Sequence, residues 1–378
     1  MISFVKGVFH DLGFRISKMI TDLENRKQNG SLHNDIPETF YQNTVNQLSS
    51  LRNEIQILTG SGDLDIESIA SNNLIRYNTI FEKFQSIELF RYQVIINYGQ
   101  AEHYFNKKIK RIYAEIKNSQ IPPLVTTISN SESYYWAHPY FAIIAVPLGE
   151  EKNLLNLPDL YHEICHFIYK QNAKYLIGDF QDIVQKYFDD EIERVIEEHR
   201  AARYISFYRD KLQKWLNGWI EEFTCDLVAT YLVGPAYAWT NLKLSTISSG
   251  NDRIYIDSPS HPSDEARMRA IFQMLDITGQ GSDAMRIKDS WNKFLSATAN
   301  PIPPDYKFIF PDHLLEHLAN NVLEGCKAIG LSDYESQVAE FGNPISKILN
   351  DAWDVILKDP TQFDSWEAKA IDEIGNSK

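Results

Sequence analysis

Tyr161-His162-Glu163-Ile164-Cys165-His166 carries two imidazoles four residues apart, with a carboxylate directly after the first. On a helix that spacing sets both rings on one face, ready to share a metal ion, and leaves Glu163 beside them to handle a proton. The flanks predict such a helix. Asn156 and Pro158 are start signals, Leu160, Ile164, Phe167 and Ile168 supply an apolar stripe, and neither Gly nor Pro interrupts the run to Lys170. Two histidines do not complete a catalytic site, so a third ligand is required.

A second predicted helix, Trp219-Ile220-Glu221-Glu222-Phe223-Thr224-Cys225-Asp226, offers one. Glu222 and Asp226 stand four apart, so one turn can aim a carboxylate at the metal and hold another behind it, oriented toward a ligand imidazole. Glu221 is the rival ligand, but it is rotated about 100° around the helix and loses the pairing with Asp226. Glu222 is therefore preferred. The apolar sequel Leu227, Val228, Tyr231 and Leu232 predicts a buried helix, which weakens a reading of these acids as surface charge. His138, followed by Pro139 in a polar loop, reads better as a hydrogen-bonded or exposed residue than as a ligand.

These two motifs are followed by Ser260-His261-Pro262, with Arg267 six residues after His261. Together the three resemble the gluzincin metallopeptidases over about residues 120 to 276, and in motif most of all the CAAX prenyl proteases, the HtpX-like peptidases and their small soluble minigluzincin relatives. The resemblance implies that His162, His166 and Glu222 bind Zn2+, that Glu163 is the general base, that Asp226 orients His162, that His261 stabilises the oxyanion and that Arg267 braces Glu222. It also implies that an edge strand above the metal pairs with extended peptide. Ile143, Ile144, Ala145 and Val146, in the apolar run Phe141 to Val146 ended by Pro147, are the expected substrate-binding residues. An uninterrupted apolar run also suits a central, buried strand. His261 has a second reading as the cap of the helix that starts near Ser263. The chain departs from the family at Cys165 and Cys225, where small residues are usual, and in lacking spanning segments, so prenylated substrates are not implied. The two cysteines read as small hydrophobes at a close helix crossing rather than as a redox switch.

Composition limits the alternatives. With 43% hydrophobic and 12% aromatic residues over 378, the chain supports a globular protein with a sizeable core. The formal charge of -14 argues against nucleic acid, whose phosphates require clustered Lys and Arg. Three cysteines suggest no disulfide framework, Lys6, His10, Asp11, Arg15 and Lys18 break up any N-terminal apolar stretch, and no segment is long enough to span a bilayer. A soluble cytoplasmic protein is expected.

Helical spacing dominates residues 1 to 117, as in Val45, Leu48, Leu51, Ile55 and Leu58, with turns at Gly30 to Pro37 and Gly60 to Asp63. Two strands are expected, at Leu124 to Ile128 and Phe141 to Val146, and Gln181 to Leu216 reads as one long charged helix. Past the break at Gly279 to Gly281, helices are expected around Trp291, Leu314 to Ile329 and Ile345 to Leu357. The expected fold is thus α+β and mainly helical. A zincin-like core over 118–276, with a small sheet, the two motif helices and a long helical insertion, is flanked by helical regions 1–117 and 277–378. The expected activity is zinc-dependent hydrolysis of peptide or protein substrates. The alternative is a zinc-stabilised binding or regulatory protein; an intact Glu163 favours the enzyme, because a structural site has no use for an unligated carboxylate.

Overall fold

A computed structural model describes residues 2–130, 134–248, 254–298 and 301–376. The fold is mainly helical with one small sheet. By internal contacts the chain forms two compact units, residues 1–106 with 124–128, and residues 107–123 with 129–378.

The first unit holds α1 (Ile2–Gln28), α2 (Glu38–Gly60) and α3 (Ala70–Ile87), which passes through a π turn at Glu88–Tyr92 into α4 (Gln93–Ile96), and it takes in the start of α5 (Gln100–Glu115). The apolar stripe of α2 is buried at Leu48, Leu51 and Ile55, against α1 with its Val5, Phe9, Leu12 and Ile16. Strand β1 (Leu124–Ser129) follows α5, and β2 (Trp136–His138) and β3 (Ile143–Pro147) come before the motif helix.

The second unit then runs through α6 (Pro158–Ile177), α7 (Phe180–Glu197), α8 (Arg203–Lys214), a π turn at Trp215–Trp219, α9 (Ile220–Val233), α10 (Pro235–Ser248) and α11 (Asp264–Ile277). It closes with α12 (Gly281–Thr298), α13 (Tyr306–Ile309), α14 (Asp312–Ala328), α15 (Tyr334–Phe341), α16 (Ile345–Lys358) and α17 (Pro360–Asn376). Its core is the crossing of α6 with α9, backed by α11 and α14. α6 is buried from Pro158 to Ile168 apart from half-buried His166, and α9 at every residue from Glu222 to Val233. Helices that are apolar all round belong in the middle of a fold. Residues 277–378 lie in this second unit, where α14 packs on α6, α9 and α11. The main segment of the first unit ends at 106, inside α5.

Three expectations need correction. The stretch 181–216 is two packed helices, because His199 adopts φ 52° and the Arg200 N–H reaches back 3.0 Å to the Val195 carbonyl, the bond that closes a helix after a left-handed residue. The loop between the two expected strands contains β2, paired antiparallel with β3 in the register Trp136 to Ala145, Ala137 to Ile144 and His138 to Ile143. Phe141 and Ala142 form the turn of this hairpin, Ala142 at φ 56°, and are not strand. Finally, β3 is buried at every residue and is paired along one side with β2. Ile143, Ile144, Ala145 and Val146 are thus sealed from solvent and do not present an open edge to a peptide.

Close approach of α14 to the end of α6 depends on one glycine. A Cβ on Gly325 would lie 2.6 Å from the Leu176 Cα, nearer still to the Tyr175 carbonyl, and these are backbone atoms that cannot swing away. Gly325→Ala is therefore expected to lower stability by about 1–3 kcal/mol through overpacking, read from urea unfolding; an unchanged midpoint would show that the two helices are not held at this distance.

Candidate metal centre

Pro158 starts α6, whose His162 and His166 meet the acids of α9 and whose His162 and Glu163 line a cleft of about 1010 Å³. His162, His166 and Glu222 present ligand atoms that all lie within 4.8 Å of one another. The Nε2 atoms of His162 and His166 are 3.4 and 3.8 Å from the two Glu222 oxygens. Donors on one tetrahedral ion with bonds of about 2.0–2.1 Å stand roughly 3.3 Å apart, so a single ion fits among these three with little movement.

Each imidazole has its other nitrogen occupied. His162 Nδ1 lies 3.0 Å from Asp226 Oδ1 and 3.1 Å from the Tyr237 hydroxyl. His166 Nδ1 lies 2.8 Å from Glu221 Oε1. Both Nε2 atoms are thereby left for a metal, the arrangement by which outer partners orient ligand histidines. Adjacent acids on α9 thus divide the work, Glu222 among the ligand atoms and Glu221 holding the second histidine. Arg267 is also placed differently from expectation. Its Nε and a terminal nitrogen donate to both oxygens of Asp226 at 2.7 and 2.6 Å, so it braces Asp226, not Glu222.

The electrostatics favour a cation. Glu222 Oε2 is sealed from solvent and has no hydrogen-bond partner among the described residues, an arrangement that an ion would relieve. Burial alone would raise Glu222, but His162, His166 and His261 hold it down to about 2. Burial alone would lower His162, but Asp226 and Glu222 raise it well above its ordinary value, so the pocket stabilises positive charge at this point. Glu163 is buried, is not among the converging ligand atoms, and lines the cleft; burial raises it, while His162 and His166 pull it back.

His261 also lines the cleft, with Nε2 3.5 Å from Glu222 Oε2 and Nδ1 2.8 Å from Ser260 Oγ. It does not cap α11, since Ser263 is the N-cap and accepts from the Ala266 N–H. Its loop is pinned to the turn before α9. The Trp219 indole donates to the Ser258 carbonyl at 2.9 Å, Lys211 and Lys214 each hold Asp257 at 2.8 Å, and a Cβ on Gly218 would come within 3.1 Å of the Ser260 carbonyl. That turn is a π turn, a device common beside functional sites.

Tyr237, Tyr134 and Asp159 carry no motif and were not singled out by the sequence. Tyr134, at φ 52°, lines the cleft, and its hydroxyl is buried without a partner among the described residues. Asp159, one turn before Glu163 on α6, is buried beside the same cleft, and burial with Glu163 and Asp226 nearby pushes it up to about 7 against the pull of His162 and Arg267. His138 lies in β2 and is not part of the converging group. Comparison with protein-family models, curated proteins and solved structures returned no match.

Removing the metal-facing acid and removing its neighbour should differ. Glu222→Ala is expected to lose bound metal, while Glu221→Ala keeps it with affinity reduced about 10–100-fold, the usual effect of losing a partner that orients a ligand. Metal titration of the two variants decides this, and a metal-free Glu221→Ala beside a metal-loaded Glu222→Ala would reverse the assignment.

Proposed function

We propose that this chain is a zinc-dependent peptidase of gluzincin type, hydrolysing peptide bonds in protein or peptide substrates. The observation that carries the reading is Glu163, a buried carboxylate beside two candidate ligand histidines that stays out of the ligand set and faces the cleft. Two imidazoles and one carboxylate suit zinc and not the hard cations, which take all-oxygen shells. His162, His166 and Glu222 would hold the ion, which when bound polarises a peptide carbonyl and lowers the pKa of water toward about 7.

The chain's own residues do the rest. Glu163 takes the proton of the attacking water and returns it to the leaving amine. His261, with Nδ1 engaged by Ser260, turns Nε2 toward the cleft and meets the negative charge that collects on the carbonyl oxygen. Asp226 and Glu221 keep the ligand rings in orientation. Because β3 is buried throughout, an extended substrate is taken instead along its partner β2, which directly follows the cleft residues Tyr134 and Tyr135. No described helix is long and apolar enough to cross a membrane.

Incubation with a peptide library, read by mass spectrometry, tests the reading. Wild type is expected to cleave, and Glu163→Gln to keep zinc and fold while losing about 10²–10⁴ in rate. Wild-type rates in that variant would sink the mechanism, and a zinc-loaded wild type with no cleavage would favour a binding role. His261→Ala should retain zinc and lose turnover by about a hundred- to a thousandfold; unchanged turnover would remove its role toward the oxyanion.

A further inference from the structure

The first unit gathers a second set of ligating side chains. His33 and Asp35 lie between α1 and α2, and His103 lies near the start of α5, 68 residues beyond Asp35. One nitrogen from each ring and one Asp35 oxygen lie within 4.8 Å of one another.

Contacts independent of any ion hold this arrangement. The Ile36 N–H donates to the His33 carbonyl at 3.1 Å and closes a turn, and the Asp35 N–H donates to His33 Nδ1 at 3.2 Å, which commits that nitrogen and makes Nε2 the one that His33 offers to an ion. The His33 ring packs on Tyr98 with centroids 4.6 Å apart and lies 5.4 Å from the His103 ring. Asp35 Oδ2 is 3.7 Å from His33 Nδ1, contacts His103 Nδ1 and accepts from the Tyr98 hydroxyl at 3.4 Å. Both histidines are exposed and the carboxylate is half-buried, so an ion can enter from solvent while its anionic ligand stays partly shielded. Two imidazoles brought from distant points in the chain onto one carboxylate gain little as surface ion pairs, which are worth about 0–1 kcal/mol. As ligands to one divalent ion they form an N2O set.

We propose that His33, Asp35 and His103 form a second metal site, selective for zinc or a similar borderline cation, with water in the remaining positions. Hard cations are excluded by the two nitrogen donors. The site takes no part in hydrolysis. Its ion clasps the turn between α1 and α2 to the start of α5, and because the ligands come together only in the folded chain, binding stabilises this unit.

The test counts zinc in the desalted full-length chain by atomic emission after equilibration with zinc chloride. Wild type is expected to hold about two ions, His162→Ala/His166→Ala one, His33→Ala/His103→Ala one, and the fourfold variant none. In the His162→Ala/His166→Ala background, zinc should raise the melting temperature, and His33→Ala/His103→Ala should abolish that rise. Should the double alanine variant fail to fold, Asp35→Asn and His103→Gln keep the polar contacts and serve the same count. A His33→Ala/His103→Ala chain, or these milder variants, holding as many ions as wild type would overturn the proposal. So would a His162→Ala/His166→Ala chain that retains none, whatever the peptidase assay shows.

Discussion

One buried carboxylate ties the candidate site together. Asp226, on α9, is fully buried and receives both donors of Arg267 from α11, the hydroxyl of Tyr237 from α10 at 2.5 Å and the Nδ1 side of His162 from α6. Burial alone would raise its carboxyl, but Arg267 and His162 hold it well below the usual carboxylate range. Four helices therefore meet on one charge. Stripping either partner from such a buried pair costs about 3–5 kcal/mol, because the other charge is left without compensation. The orientation of the first ligand ring and the packing of the second unit are thus the same problem, solved by the same contacts.

Around that charge the helices must come close. α6 and α9 cross with Cys165 and Cys225 fully buried, and burial raises both thiols well above their ordinary value, so they sit as neutral, small apolar groups. The buried hydroxyls of Thr224 and Thr230 turn back on carbonyls four residues earlier, at 2.6 and 2.7 Å, so neither is left unsatisfied inside α9. A redox role for these cysteines gains no support from such sealed positions. Close packing is sufficient reason for their size.

Spacing made legible what lies within one helix. The pairing of His162 with His166, and of Glu222 with Asp226, follows from residues four apart sharing a face, and the apolar sequel of α9 correctly marked it as buried. What crosses between helices was not legible. Glu221 cannot share a face with Asp226, yet it meets the other histidine, and only the crossing of α6 with α9 shows that two adjacent acids face two different rings. Arg267 could reach either carboxylate as far as its position in the chain was concerned. Tyr237, Tyr134 and Asp159 stand alone, without a repeat or a partner at helical spacing. The break between α7 and α8 was hidden for a related reason: it is made by a left-handed His199, with neither Gly nor Pro to mark it, while the apolar spacing continues on both sides. The pairing of β3 with β2 was hidden because three-residue β2 is too short to show an alternating pattern.

The account rests on one ion held by His162, His166 and Glu222, and diffraction from crystals of the zinc-equilibrated chain, recorded on both sides of the zinc absorption edge, tests it most directly. The account predicts an anomalous peak within bonding distance, about 2.0–2.2 Å, of both Nε2 atoms and a Glu222 oxygen, with Asp226 and Glu221 on the far sides of the rings. A strong peak bonded to Glu221 instead of Glu222, or no peak between these helices in crystals soaked with zinc, would contradict it.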